Sequence, residues 1–176
     1  GMLAALSGRP AQAADPFFPT FGNDGYDVTH YDLSFDVDPA RNRLTGNAVV
    51  SVTTLAPTSS IALDLADLTV TEVRFNGVPS SFTHGNGKLH VRLPYPQRKG
   101  AAFKITVVYG GVPKTLDDPT APGQGLGLGW TGYAGTSYVV SEPVGASTWH
   151  PVNDKPPATP TYRLPVPAPT PHTVAA

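Results

Sequence analysis

Apolar side chains return at every second position in several stretches of this chain, and that spacing constrains the fold more than any other feature. Tyr31, Leu33, Phe35 and Val37 alternate with Asp32, Ser34 and Asp36. Successive side chains of a strand point to opposite faces, so such a segment carries one apolar and one polar side. Pro39-Ala40-Arg41-Asn42 supplies a turn, and Leu44 to Leu55 reads as a second strand with Ala48, Val50 and Val52 on one face. The two predict a hairpin, with a bulge at Gly46. Ile61, Leu63 and Leu65 predict a third strand, and Leu68 to Phe75 a fourth that ends at Asn76-Gly77. Ser81-Phe82-Thr83 should fold back on Leu89 to Leu93 through Gly85-Asn86-Gly87, because both central residues of a type I′ turn need positive φ. Phe103, Ile105, Val107 and Tyr109 make the last strand of this regular block.

Between the strands lies turn chemistry. The 18 Gly and 20 Pro of the 176 residues exclude a helical bundle, since both break helix interiors. A chain of this length is one domain by default. Twelve Lys and Arg against 13 Asp and Glu leave no basic excess for nucleic acid. No run of 18 apolar residues offers a transmembrane segment, and without cysteine there is neither a disulfide framework nor a thiolate zinc site. The expectation is an all-β fold of mainly antiparallel, sandwich-like sheets.

The two ends differ from the middle. Gly1 reads as a residue left by expression; Met2 to Leu6 is apolar, and Ala11-Gln12-Ala13 precedes Ala14-Asp15 in the pattern signal peptidase reads. Residues 1–14 are therefore expected to be a disordered remnant of an export signal, with the protein secreted or periplasmic, and residues 15–176 a single β domain. Eight prolines fall between Pro151 and Ala176, and Leu164-Pro165-Val166-Pro167-Ala168-Pro169 keeps a period-two register in which every second residue lacks an N–H. Such a segment belongs at a sheet edge or in a polyproline-like extended strand. The stop at Ala176, without turn or cap, reads as a truncation.

Candidate chemistry is sparse. His30, His84, His90, His150 and His172 include no pair four residues apart, so the helix of a zinc peptidase is missing from this sequence. His84 and His90 flank one hairpin, but two imidazoles fall short of a zinc site, and solvated hairpin residues are the simpler reading. The run Gly123-Gln124-Gly125-Leu126-Gly127-Leu128-Gly129-Trp130 lacks the spacing and the helix of a phosphate cradle. It reads as an irregular loop with Leu126, Leu128 and Trp130 packed on the sheet. Ser141, His150 and Asp154 can be arranged as a triad only on paper, for no nucleophile elbow is present. Asp36 with Asp38, Asp64 with Asp67, and Asp117-Asp118 read as solvated turn and strand-end carboxylates. Glu142, after the short strand Tyr138-Val139-Val140, is by its setting alone a solvated loop carboxylate.

Three ordered segments add to this reading. Gly22-Asn23-Asp24-Gly25-Tyr26-Asp27-Val28-Thr29-His30-Tyr31-Asp32-Leu33 comes first, then Leu44-Thr45-Gly46-Asn47-Ala48. The third runs from Ser141-Glu142-Pro143-Val144-Gly145-Ala146 through Trp149-His150-Pro151-Val152-Asn153-Asp154-Lys155-Pro156 to Thr161-Tyr162-Arg163-Leu164. Together they resemble the N-terminal β domain of the aminopeptidase N-like zinc metallopeptidases. The resemblance implies a saddle-like β domain that precedes a thermolysin-like catalytic domain, which carries G-x-M-E-N, H-E-x-x-H and the zinc. None of those motifs occurs here, so no cofactor and no catalytic residue are expected in this chain.

In that family an acidic or amide residue of the N-terminal domain binds the substrate's free α-amino group, and Glu142 matches its position. The departures are Val140 where the family has Gln, His150 where it has Phe, and Val152 where it has Cys. The expected partners are a catalytic metallopeptidase domain, a peptide N-terminus through that domain, and further copies of this chain through the face left uncovered. The alternative is a free-standing extracellular β-sandwich that binds protein or carbohydrate on aromatics near Trp130, Tyr133, Tyr138 and Trp149. A residual hydrolase is a third class, for which activity is not expected.

Overall fold

The hairpin expected first is the spine of the computed structural model, which describes residues 19–125, 127–142, 144–155, 159–167 and 170–175. Strand β1 (Tyr26–Asp38) pairs antiparallel with β2 (Arg43–Thr54), Tyr31 opposite Val50 and Leu33 opposite Ala48. The turn between them is a short 3-10 segment, Pro39–Arg41. The Asp38 carboxylate accepts the Arg41 N–H at 3.1 Å, and Asn42 takes left-handed backbone at φ 47°. Asn and Asp tolerate such positions because their short side chains bond locally.

Strand β3 covers Thr58–Asp64, β4 Thr69–Phe75, β5 Val78–Pro79, β6 Phe82–Gly85, β7 Lys88–Gln97 and β8 Ala102–Gly111. Then come β9 (Leu116–Asp117), β10 (Gly127–Tyr133), β11 (Thr136–Val140), a 3-10 turn at Ala146–Thr148, and β12 (Thr161–Arg163). The large sheet has the order β12-β1-β2-β8-β4-β5, a second β3-β7-β6, and a third β11-β10-β9. All named pairs are antiparallel except β12 on β1. The predicted type I′ turn forms, with positive φ at Asn86 and Gly87, and Asn76 and Gly77, which end β4, also take positive φ.

The apolar faces meet as alternation requires. Tyr31, Leu33, Val50, Ile105 and Val107 of the large sheet close on Leu63, Leu89 and Val91 of the second, all of them fully buried. Burying a side chain of this size is worth about 1.5–3 kcal/mol, so this layer dominates the cohesion of the fold.

Several expectations need correction. Gly46 is no bulge: it sits in register between Phe35 and Tyr109, and the ladder shifts instead between Val28 and His30. A Cβ on Gly46 would lie 2.4 Å from Tyr109 Cζ, so the residue is glycine because an aromatic ring lies across it. The glycine-rich stretch expected as an irregular loop contains a strand, β10. Its glycines mark close approaches of other segments, since a Cβ on Gly132 would lie 2.4 Å from Asn42 Cγ. Leu128 and Trp130 do pack inward, as expected, and Leu126 lies outside the described residues.

The proline-rich end takes the edge position. Three residues of β12 pair parallel with His30, Tyr31 and Asp32, and the strand stops at Arg163, before Pro165. Residues 1–14, where an export remnant is expected, lie outside the described residues, as do Pro143, Pro156, Ala168, Pro169 and Ala176. Among the described residues no helix is long and apolar enough to cross a membrane.

Candidate functional site

β10 and β11 form a hairpin, Trp130 opposite Val139 and Gly129 opposite Val140. β11 is the edge of its sheet, with Tyr138, Val139 and Val140 exposed. Glu142 follows two residues later, also exposed, and makes no hydrogen bond or ion pair with the described residues. Its neighbours are fixed. Ser141 Oγ accepts from Trp149 Nε1 at 3.3 Å. Val144 is fully buried against Leu128, with Phe21 packed on the pair. Gly145, at φ +118°, donates its N–H to Asp154 Oδ2 at 3.3 Å, and its carbonyl accepts from the Thr148 hydroxyl at 2.8 Å. The site is an unpaired carboxylate on a loop anchored at both ends.

Beneath the loop lies a buried polar hub. Asp64 pairs with Lys88 across β3 and β7 and accepts from the Gly22 N–H at 3.0 Å, Asn23 Nδ2 at 3.3 Å and the Asp154 N–H at 3.1 Å. Asn153 locks in the same way, accepting from the Asn23 N–H at 2.6 Å and donating through Nδ2 to the Asn23 carbonyl at 3.2 Å. Its own N–H donates to the Tyr31 hydroxyl at 2.8 Å. Burial, with Asp64 nearby, pushes the Asp154 carboxyl up to about 6 against the pull of the Gly145 N–H. Reading Asp64 as a solvated strand-end carboxylate is therefore wrong. Residues 22–23 and 152–154 cover the face of β3 that its alternation leaves polar.

Ser141, His150 and Asp154 do not assemble as a triad. The Ser141 hydroxyl meets Trp149, the Asp154 carboxylate meets Gly145, and His150 Nδ1 bonds the Pro151 carbonyl at 2.9 Å. The His150 ring is fully buried among Tyr31, Trp149 and Tyr162, at centroid distances of 5.4, 4.3 and 5.8 Å, and its Nε2 has no partner. Burial holds its pKa down at about 4.

His84 and His90 do not meet either. Register places His84 opposite Leu89 and His90 opposite Thr83, so the two rings leave opposite faces of the hairpin, and His84 Nε2 bonds the Leu65 carbonyl at 2.9 Å. Among the described residues no three His, Asp or Glu side chains gather as a metal site, so the zinc of the resemblance finds no ligand set here. The four aromatics of the binding alternative divide. Trp130 is core and Trp149 is packed on it, while Tyr133 and Tyr138 are exposed.

With this geometry in hand, the comparisons agree. A family model for the Peptidase M1 N-terminal domain matches residues 27–176. Among solved structures, a mutant M1 zinc metallopeptidase from Deinococcus radiodurans bound to a Tyr-Ser-Ala substrate superposes with TM-score 0.78 at 35% identity, covering 86% of this chain and 34% of that one. Another M1 zinc metallopeptidase structure from Deinococcus radiodurans gives TM-score 0.77 at 34% identity, with the same coverage. A mutant two-domain M1 zinc metallopeptidase bound to L-tryptophan gives TM-score 0.78 at 33% identity, covering 86% of this chain and 35% of that one. Comparison with curated proteins yields no match. This chain belongs to the M1 metallopeptidase family, as its N-terminal domain, and spans about a third of the length of the enzymes it resembles.

Glu142 is singled out in the sequence only by the family-like segment around it. The hub on Asp64 and the anchor at Thr148 carry no such segment, because their partners lie up to 90 residues away in the chain. The one available signal was Asp64 itself, a carboxylate inside the otherwise apolar run Ile61 to Leu65.

Proposed function

We propose that this domain packs on a zinc-bearing catalytic domain and offers the Glu142 carboxylate to the free α-amino group of a peptide, so that the protein as a whole is an exported metallo-aminopeptidase. The observation that carries this reading is the state of Glu142: exposed, unpaired, and set beside the exposed apolar edge Tyr138-Val139-Val140 on a loop whose ends are fixed. An exopeptidase must tell an ammonium from an internal amide. A partly desolvated carboxylate does so through a charge-assisted hydrogen bond, which a neutral amide cannot match. Lining that carboxylate with an apolar edge suits a surface that another domain covers, because covering it strengthens the bond.

The catalytic zinc belongs to the partner domain, and the isolated chain hydrolyses nothing. The test joins this chain to a catalytic domain of the family and compares wild type with Glu142→Ala on free-amine peptides. Glu142→Ala should raise KM and lower kcat; an unchanged kcat/KM removes the carboxylate from substrate recognition. Peptide or glycan titration of the isolated chain, followed by Trp130 and Trp149 fluorescence, tests the binding alternative. A saturable micromolar response favours it. Export is tested separately, by locating the mature chain and its N-terminus in culture fractions.

A further inference from the structure

A carboxylate selects an ammonium only if it is held where the ammonium arrives, since every side chain ordered on binding costs affinity. We infer that Thr148 is the positioning residue for Glu142, acting through the crossing of Gly129 and Gly145; this role rests on the amine-recognition reading of Glu142. Gly129 lies in β10 and Gly145 at the far end of the Glu142 loop. A Cβ on Gly129 would lie 2.1 Å from Thr148 Oγ1 and 2.8 Å from the Gly145 carbonyl oxygen. A Cβ on Gly145 would lie 2.8 Å from the Gly129 nitrogen. Two backbones this close leave no room for a side chain on either.

One hydroxyl joins them. Thr148 Oγ1 accepts the Trp130 N–H at 2.9 Å and donates to the Gly145 carbonyl at 2.8 Å, with the whole residue buried. Both of its roles are filled, so the same group ties strand β10 to the loop. The next residue, Trp149, holds the near end of the loop through Ser141. Glu142 is thus carried between anchors set by the consecutive residues Thr148 and Trp149, with the Gly145 N–H on Asp154 and the Thr148 N–H on the Gly145 carbonyl, at 3.1 Å, at the far end as well. Thr148 is the stronger, because its bonds are short and shielded from water, and a buried donor or acceptor left unmade is costly.

The variants Thr148→Val, which keeps the shape and loses both bonds, and Thr148→Ser, which keeps the hydroxyl, separate anchoring from packing. In the isolated chain, hydrogen exchange at the amides of Ser141, Glu142, Val144 and Gly145 should quicken by about tenfold or more in Thr148→Val. Thr148→Ser should exchange like wild type, and amides of β1, β2 and β8 should stay unchanged in both. Unchanged exchange at 141–145 in Thr148→Val, or equal acceleration everywhere, overturns the inference.

A second arm places this chain in the corresponding third of the Deinococcus radiodurans enzyme and measures free-amine peptide turnover. Thr148→Val should raise KM about fivefold or more with kcat changed less than about twofold, an effect that largely disappears in a Glu142→Ala background. An effect of Glu142→Ala without one of Thr148→Val overturns the positioning role. Accelerated exchange together with a silent Glu142→Ala leaves the anchor standing and overturns amine recognition instead.

Discussion

Asp64 and Val152 exchange both backbone hydrogen bonds, at 2.7 and 3.0 Å, and this single bridge ties the chain that follows the Glu142 loop to the end of β3. The Asp64 side chain then gathers Gly22, Asn23, Lys88 and the Asp154 N–H around one carboxylate. Three segments distant in sequence thus meet at a single residue of β3.

Asp64→Ala should therefore be among the most destabilising substitutions in the domain. It strips the anionic partner from the Lys88 ammonium, which keeps only the Gly22 carbonyl and Asn23 Oδ1, and leaves three buried or half-buried N–H donors unmet, a loss of about 3–5 kcal/mol. Lys88→Met should cost less, because Asp64 keeps three N–H donors and Lys88 is partly open to water. Urea denaturation checks the order; equal midpoints for the two variants would show that the hub does not centre on Asp64. Limited proteolysis should also nick Asp64→Ala near Gly22 and Asn23 before any other site.

The His150 ring sits in an aromatic cage, with Nε2 unmet among the described residues. At pH 7.5 His150→Phe should lie within about 1 kcal/mol of wild type, since it removes an unmet buried nitrogen but also the Nδ1 bond to the Pro151 carbonyl. The variant should gain on wild type in acid. With the folded pKa near 4 against 6.5 unfolded, the unfolded chain binds a proton there that the folded chain refuses. The wild-type histidine therefore lowers stability as pH falls from 6.5 toward 4, by about 3 kcal/mol in total.

Asp154 acts in the opposite sense. Raised to about 6, it holds a proton in the folded state that the unfolded state releases, and its contribution, about 3 kcal/mol, grows as pH falls through 6 toward 3.8. In wild type these two contributions largely offset each other. Thermal melts at pH 7.5 and 4.5 should show His150→Phe gaining on wild type at the lower pH. A constant gap in Tm would mean that His150 is already charged in the fold.

The strands and their turns were legible because alternation and Asn-Gly pairs are local signals. Tyr31 to Val37 and Phe103 to Tyr109 could bury only one face each, and they do. What escaped was non-local. Nothing in the sequence around Gly46 announces that Tyr109, 63 residues on, lies across it. Nothing around Gly123 to Trp130 distinguishes a flexible loop from a strand whose glycines admit Thr148 and Asn42. Asp64 looked solvated because its cover comes from residues 22–23 and 152–154. Glu142 stood out only through the segment that resembles the family, since an exposed carboxylate carries no local mark that separates a functional group from a solvated one.

Tyr109 offers a test of close approach against polarity. Its ring covers Gly46 and its hydroxyl is buried without a partner among the described residues, with burial raising its pKa. Tyr109→Phe should be neutral or stabilising by up to about 1 kcal/mol, because an unmet hydroxyl contributes only its desolvation cost. Gly46→Ala should cost about 1–3 kcal/mol, since the added methyl must displace the ring from the middle of a fully paired sheet. Denaturant midpoints measure both. A destabilised Tyr109→Phe would reveal a partner for the hydroxyl.

The exposed edge of β11 makes the last prediction. Tyr133 is 74% exposed, Tyr138 53% and Val140 47%, all on one hairpin whose outer strand pairs with no further strand among the described residues. Unpaired strand edges bearing apolar side chains recruit other chains, and charge on such an edge suppresses pairing. The isolated domain should therefore self-associate at high concentration, and Val140→Lys should shift it to monomer without lowering its Tm, because that side chain contributes little to the core. Light scattering across a concentration series reads the outcome. The same substitution should weaken docking to a catalytic domain, so loss of self-association and loss of docking are expected to appear together; a variant that loses only one of them would place the two contacts on different faces.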